Sequence, residues 1–289
     1  MSLLSTTRIR SGDILDHYRL DALVATGGMA SIFRATDMRT GSAVAVKVPH
    51  SRHGGKRSFA SDFDAETEIG RKLDHPGIVR MLPNDGASRR YAVMEWVEGL
   101  LLRQILDQPG GLTIERTLQI ALKICDVLAY IHERGIVHLD LKPDNVIVDS
   151  NDNVKLIDFD IARETKRGLS ALLRPRRVGT PDYASPEQIK GKRGDARSDI
   201  YSLGLILYEM LTGEVPFSGV ETLTALNLRL AGDPMPPCEI NPKIPSPLQD
   251  VVCRAIARDP AKRHRTVREL YSQLEQISQC GLNELVERL

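Results

Sequence analysis

Two different hydrophobic periods divide the chain, and this change constrains the fold more than any other feature of the sequence. Before residue 95 the pattern is mostly strand-like, with alternating valines and Gly-containing turns, which is typical of antiparallel strands. After residue 99 the apolar residues recur at helical spacing. The sequence therefore predicts a small β-rich lobe, a short connector near 95–99 and a larger helical lobe.

Turn residues and helix caps give these elements their expected bounds. Residues 1–12 read as a disordered leader. The sequence predicts strands over 18–25, 31–37, 42–48, 78–82 and 90–94, a helix over 59–73, a helix from 112 to Gly135, a helix capped by Ser198 and followed by Gly213, and a helix opened by Ser246.

Composition excludes several classes of protein. With 42% apolar and 27% charged residues in 289, the chain is an ordinary globular protein. Its net charge of +1 gives no reason to expect a polyanion or a membrane surface as partner, and no apolar run approaches the roughly 18 residues of a membrane span. The four cysteines are widely spaced and form no CxxC pair, which favours small hydrophobes in a reducing, cytoplasmic setting over a disulfide or metal framework.

A turn with Gly27 and Gly28 joins the first two predicted strands. Such glycines can offer backbone amides to a polyphosphate, although Gly-Gly is also an ordinary hairpin turn. On the third strand, alternation points Ala45 and Lys47 to one face. Glu66 shares the apolar face of the helix over 59–73, so Lys47 is its natural counter-charge; a surface Glu66 is the alternative.

The stretch VHLDLKPDNVIVDSNDNVKLIDFDIAR, residues 137–163, places polar residues between apolar runs. Residues 149–153 read as the tip of a hairpin. Turn chemistry does not account for Asp140, Asn145 and Asp158, which lie at the edges of the apolar runs. These three residues are candidates for chemistry.

His138-Leu139-Asp140, followed by Asn145 and then by Asp158-Phe159, resembles the catalytic signature of the eukaryotic-type protein kinases, most closely the bacterial Ser/Thr branch. The resemblance covers about residues 18–275 and includes LDHPGIV, VMEWVEG, GTPDYASPE, SDIYSLGLILYEMLTG and RDPAKRHRT. It implies the α+β, bilobal protein-kinase fold: a small antiparallel β-sheet N-lobe with one key helix, and a larger, mainly helical C-lobe. The implied bounds are 13–94 for the N-lobe, 95–99 for the hinge, 100–277 for the C-lobe and 278–289 for a helical tail.

The resemblance also implies roles for individual residues. Asp140 accepts or orients the proton of the substrate hydroxyl, and Lys142 neutralises charge on the transferring phosphoryl group. Asn145 and Asp158 supply oxygen ligands to Mg²⁺. Lys47 contacts the α/β phosphates of ATP and pairs with Glu66. The implied nucleotide-binding set is Ala25, Gly27, Gly28, Ala30, Ala45, Lys47, the gatekeeper Met94 and the hinge residues Glu95 and Val97, with Trp96 either stacking on a ligand or packing the hinge.

Three further implied roles are structural. Glu187 is expected to form a buried pair with Arg263, Asp199 to bind the backbone of the catalytic loop, and His138 to act as a scaffold.

The chain departs from the family pattern at several positions. Leu139 replaces an Arg that pairs with a phosphorylated residue of the activation segment, so we expect activity largely independent of such phosphorylation. Asp160 replaces a Gly, and its charge leaves Mn²⁺ open as an alternative cation. Ala25 and Ala30 replace glycines, which predicts altered nucleotide affinity rather than loss of binding.

The sequence thus predicts a protein Ser/Thr kinase that uses Mg-ATP; the alternative is a nucleotide-binding pseudokinase that acts as a scaffold. A small-molecule kinase is disfavoured by GTPDYASPE, which builds a peptide groove in protein kinases. The expected partners are protein substrates, including the chain itself at Thr165, Ser170 or Thr180. The basic residues over 163–177 lack interleaved aromatics, so no nucleic-acid partner is expected.

Overall fold

The computed structural model describes residues 9–27, 30–50, 57–108, 112–158, 163–164, 181–217 and 219–280, without the side chains of 57–62, 66, 163, 164 and 181. The chain divides into two compact units: residues 1–74 with 79–98, and residues 75–78 with 99–289. Within the described ranges, no helix has the length and apolar character to cross a bilayer.

The first unit contains an antiparallel sheet of six strands in its described part, in the order β1-β2-β3-β4-β6-β5. The predicted meander is confirmed as its centre. The strands are β1 (Ile14–Leu15), β2 (Tyr18–Thr26), β3 (Ala30–Asp37), β4 (Ala43–Pro49), β5 (Met81–Leu82) and β6 (Ala92–Glu95).

The two faces of β4 differ because side chains alternate along a strand. Val44, Val46 and Val48 join the apolar core of this unit with Leu20 and Phe33. Residues 45 and 47 therefore point to the opposite face, as the sequence predicted. The helix α1 (Arg57–Arg71) follows, close to the predicted bounds.

Residues 9–12, which the sequence assigns to a leader over 1–12, contact the sheet of the first unit. The Gly12 N–H donates to the Leu20 carbonyl over 2.7 Å, and the Leu23 N–H donates to the Ser11 hydroxyl over 3.1 Å. Ile9 packs against the core of the sheet. Ser11 and Gly12 thus bind the backbone of β2, a contact that composition does not reveal. Residues 1–8 lie outside the described part of the chain.

In its described part, the second unit is mainly helical and contains two small sheets. The strands β7 (Leu100–Leu101), β9 (Val146–Val148) and β10 (Val154–Leu156) form one sheet, in the order β10-β9-β7. The strands β8 (Ile136–Val137) and β11 (Arg163–Glu164) form the other. The helices are α2 (Leu102–Leu106), α3 (Ile114–Glu133), α4 (Pro186–Ile189), α5 (Ala196–Thr212), α6 (Thr222–Ala231), α7 (Pro237–Ile240), α8 (Ser246–Ala255) and α9 (Val267–Gln279).

The helix α5 runs through the core of this unit, and every residue from 198 to 211 is buried. Its C-terminal Gly213 is confirmed and adopts φ +78°. The predicted cap Ser198 is wrong. The cap is Asp195, whose carboxylate accepts the Arg197 N–H over 2.8 Å, while Ser198 accepts the Asp195 N–H over 3.2 Å. Ser198 thus completes a capping box from the third helical position.

Candidate active site

The loop that carries Asp140 and Asn145 lies between β8 and β9, in the second unit. A 3₁₀ turn at Pro143–Asn145 ends it. The hairpin β9–β10 then pairs Val146 with Leu156, so it returns the chain to the level of Asn145. The Ile157 N–H donates to the Asn145 carbonyl over 2.9 Å. The hairpin therefore brings Asn145 and the residue after Ile157, Asp158, to the same end of the sheet.

The tip of this hairpin is confirmed at 149–153. The Asp149 carboxylate accepts the backbone N–H groups of Asn151 and Asn153, each over 2.8 Å, and the Asn153 side-chain amide over 2.9 Å. The Asn153 contacts lower the pKa of Asp149. Turn chemistry therefore accounts for the placement of Asp149, Asn151 and Asn153.

Asp140, Lys142 and Asn145 are in direct contact. The Lys142 ammonium lies 3.0 Å from Asp140 Oδ2. Asn145 Nδ2 donates to the Asp140 carbonyl over 2.9 Å and lies 3.5 Å from Asp140 Oδ2. A carboxylate beside a cation can accept a proton from a hydroxyl while the cation faces negative charge that develops nearby.

The orientation of the Asn145 amide suits a cation ligand. Because its nitrogen binds Asp140, its oxygen is at the opposite side of the amide. Mg²⁺ is commonly bound by one or two protein oxygens together with substrate phosphates. Asn145 and Asp158 can supply such oxygens. Among the described residues, no cluster of three or more His, Cys, Asp or Glu could hold a metal ion.

A fully buried carboxylate on α5 binds the backbone of this loop. Asp199, on α5, accepts the backbone N–H groups of His138 over 2.9 Å and Leu139 over 2.7 Å, and lies 2.8 Å from His132 Nε2. The predicted role of Asp199 is confirmed. Leu139 adopts φ +67°, a left-handed conformation that costs a non-Gly residue about 1–2 kcal/mol. The Asp199 contacts fix this conformation.

His138 is buried, and burial lowers its pKa although Asp199, Asp140 and Asp158 favour its charged form. The neutral ring accepts the Asp140 N–H at Nδ1 over 3.3 Å. His138 is therefore a scaffold residue, as predicted.

The predicted pair of Glu187 and Arg263 is also confirmed. Arg263 donates two hydrogen bonds of 2.8 Å to the two carboxylate oxygens of Glu187, and its side chain is 0% exposed. Burial alone would raise the pKa of Glu187, but Arg263 and the Ser198 hydroxyl lower it to about 2.

Two groups of contacts in the second unit were missed by sequence reasoning. Arg103 donates to Glu209 over 2.7 and 3.0 Å and also contacts the Tyr183 hydroxyl, which donates to Glu209. Gln188 donates to the Leu139 carbonyl over 2.8 Å. No local pattern could find them, because the partners are 26 to 106 residues apart.

Six candidate nucleotide-binding residues of the first unit lie on β2, β3, β4 and β6: Ala25, Ala30, Ala45, Lys47, Met94 and Glu95. Met94 pairs with Ala45 across β4 and β6, and Ala25 pairs with Ile32 across β2 and β3. The Gly27 N–H donates to the Ala30 carbonyl over 2.9 Å. Lys47 is buried on β4.

The hinge segment has its own contacts. Glu95 accepts the Arg80 N–H at its side chain and donates its own N–H to the Arg80 carbonyl, each over 2.9 Å, and Val97 is half-buried. Trp96 donates to Glu98 over 2.7 Å, and the Arg34 guanidinium lies 5.3 Å from its ring centre. These contacts favour packing of Trp96 at the hinge over stacking on a ligand.

Several candidate residues fall outside the described part of the chain: Gly28, Asp160, Thr165, Ser170, Thr180 and the side chain of Glu66. The expected pair of Lys47 with Glu66 therefore stays a prediction. All four cysteines are free thiols.

Comparison with known proteins gives a consistent result. The family model described as protein kinase domain matches residues 18–274. A probable serine/threonine-protein kinase of Corynebacterium efficiens is 37% identical over 280 residues, which cover 93% of this chain and 42% of that protein. The serine/threonine-protein kinase PknB of Mycobacterium tuberculosis is 36% identical over 268 residues, which cover 91% of this chain and 43% of that protein. The chain thus spans about two fifths of the length of these relatives.

Among solved structures, the kinase domain of Mycobacterium tuberculosis PknI, in a mutant form, matches with a TM-score of 0.71. The match covers 95% of this chain and 100% of that chain at 24% sequence identity. This likeness confirms the fold class predicted from the sequence.

Proposed function

Since the chain belongs to the protein kinase domain family, we propose that it is a protein serine/threonine kinase that transfers the γ-phosphoryl group of Mg-ATP to Ser and Thr hydroxyls of proteins. The observation that carries this proposal is the contact of Asp140 with both Lys142 and Asn145 within one loop. Asp199, on the buried helix α5, binds the backbone of this loop. The side chains of Asp140, Lys142 and Asn145 are therefore positioned before a substrate binds.

Phosphoryl transfer requires positioning and charge neutralisation more than covalent chemistry by the protein. Asp140 orients the attacking hydroxyl and accepts its proton. Lys142, 3.0 Å from that carboxylate, faces the negative charge of the transferring group. Asn145 and Asp158 would hold Mg²⁺, which when bound neutralises charge on the nucleotide phosphates.

The remaining roles concern the nucleotide. Lys47, with Glu66 as its partner, contacts the α/β phosphates, and the turn at Gly27 covers them. Met94, Glu95 and Val97 line the adenine, with residues 95–99 as the hinge. The substrates are proteins and include the chain itself, at Thr165, Ser170 or Thr180.

We place the domain in the cytoplasm, because its widely spaced cysteines suit a reducing compartment.

The test compares phosphate transfer from Mg-ATP to a generic basic protein by the wild type and Asp140→Asn. We expect Asp140→Asn to lower the rate by about 10² to 10⁴-fold, the range for loss of a general base. Asp144→Asn is the matched control, because the same change is made at an exposed carboxylate of the same loop; its rate should stay near that of the wild type.

Two results would contradict the proposal: no transfer by the wild type, or equal transfer by wild type and Asp140→Asn. Nucleotide binding without transfer would favour the pseudokinase alternative.

A further inference from the structure

The peptide group between Leu139 and Asp140 is bound on both sides. Its carbonyl accepts the Gln188 side-chain amide over 2.8 Å. Its N–H, which belongs to Asp140, donates to His138 Nδ1 over 3.3 Å. Because a peptide group is planar, these two contacts fix the plane from which the Asp140 side chain projects.

The orientation of the Gln188 amide is itself determined by its neighbours. Its Oε1 accepts the backbone N–H of Ser185 over 3.0 Å and the Ser185 hydroxyl over 2.9 Å. The nitrogen end must therefore face the Leu139 carbonyl. Ser185, Gln188 and Leu139 are all buried, so water does not readily replace any of these contacts.

The side chain of Leu139 makes a second link to the same segment. A methyl group placed on Gly194 would lie 2.7 Å from Leu139 Cδ2, which shows that the two residues are in close contact. Leu139 is thus joined to residues 185–194 by a hydrogen bond to its backbone and by packing of its apolar side chain. No charged group takes part in either link.

We propose that Gln188 is a positioning residue for Asp140, and that it couples the segment at 185–194 to the catalytic loop without a phosphate group. This inference rests on the proposed kinase activity. Gln188 sets the plane of the peptide group that precedes Asp140, and Asp199 binds the N–H of Leu139 on the other side of the same residue. The link is built from neutral partners and contains no phosphate group.

The first test measures kcat and KM for ATP and for a basic protein substrate in Gln188→Leu, which has a similar volume and no donor. We expect kcat to fall about 10- to 100-fold, the range for a small misplacement of a catalytic group, with KM for ATP within about twofold of the wild type. Asn241→Leu is the matched control: Asn241 also donates a side-chain amide to a main-chain carbonyl, that of Leu211, over 2.8 Å. It should lower the Tm without lowering kcat.

The second test uses Gln188→Glu. The ionised carboxylate of this variant faces the Leu139 carbonyl and repels it, whereas the protonated carboxyl can donate to it while the other oxygen still accepts from Ser185. Burial raises the pKa of such a carboxyl. The ratio of kcat in Gln188→Glu to kcat in the wild type should therefore rise as the pH falls from 8 to 6.

Hydrogen exchange of the peptide that covers 137–142 gives a readout that does not depend on activity. Exchange in Gln188→Leu should be faster than in the wild type and in Asn241→Leu. An unchanged kcat in Gln188→Leu, a kcat ratio in Gln188→Glu that stays flat with pH, or unchanged exchange would each overturn the inference. If Gln188→Leu does not fold, the pH profile of Gln188→Glu decides. If the wild type transfers no phosphate, the proposed function fails, and exchange alone decides the positioning role.

Discussion

The buried pair of Glu187 and Arg263 should contribute several kcal/mol to the stability of the second unit. Glu187 has a folded-state pKa of about 2 against an ordinary value of 4.5. At about 1.4 kcal/mol per pH unit, this difference corresponds to roughly 3 kcal/mol. The group is a carboxyl whose pKa is depressed by folding, so its contribution is fully present above about pH 4.5 and is lost as the pH falls toward 2.

Removing one partner should cost at least this much. Glu187→Gln leaves the guanidinium of Arg263, which is 0% exposed, without its counter-charge. We expect a loss of about 3–5 kcal/mol in the free energy of unfolding, or a Tm lower by about 10 °C for a chain of this size. Arg263→Met should cost a similar amount because it leaves a buried carboxylate.

The assay is urea unfolding of the wild type, both single variants and the double variant between pH 7 and pH 3.5. The double variant should lose less than the sum of the single variants, with a coupling energy of about 2–3 kcal/mol, because it leaves no buried charge unpaired. The stability difference between wild type and Glu187→Gln should shrink by roughly 1 kcal/mol between pH 4.5 and 3.5. Additive losses, or a difference that does not change with pH, would refute the assignment of this energy to the pair.

Two further substitutions test how the catalytic loop is held. Asp199→Asn places an amide against two backbone N–H groups, so the kinase rate should fall at least about tenfold; an unchanged rate would show that the loop does not need this carboxylate. Gly194→Ala sets a methyl group 2.7 Å from Leu139 Cδ2 and 2.7 Å from the Ser198 hydroxyl, which should cost about 1–3 kcal/mol by thermal unfolding. Gly232→Ala, where the methyl group meets only one atom, at 4.0 Å, is the control, and equal losses in both would contradict the crowding.

Local pattern was sufficient to predict the features that depend on neighbours in the sequence. The hairpin tip at 149–153 follows from turn residues between two apolar runs, and the face shared by Ala45 and Lys47 follows from alternation along one strand. Motif resemblance added pairs distant in sequence, such as Glu187 with Arg263, which no local rule gives. The roles of Asp140, Asn145 and Asp158 in chemistry stay predictions until activity is measured.

The sequence could not predict the contacts that exist only once the second unit is folded. Gln188 looks like an ordinary helix residue, and its partner is a backbone carbonyl that carries no sequence signal. The cap of α5 was missed for a different reason: Asp195 and Ser198 are both good capping residues, and the choice between them depends on where the preceding chain enters the helix.

The strained backbone of the loop between β8 and β9 and the burial of Asp199 each have an energetic cost, and the two costs are connected. Leu139 adopts φ +67°, at a cost of about 1–2 kcal/mol. A carboxylate that is 0% exposed is itself unfavourable unless donors converge on it, and two of the donors to Asp199 are the backbone N–H groups of His138 and Leu139. In the strained conformation the loop presents these two consecutive N–H groups to the one carboxylate. The contacts with Asp199 thus offset part of the strain at Leu139, and the position of Asp140 is set by α5 together with Gln188 rather than by the loop's own preferences.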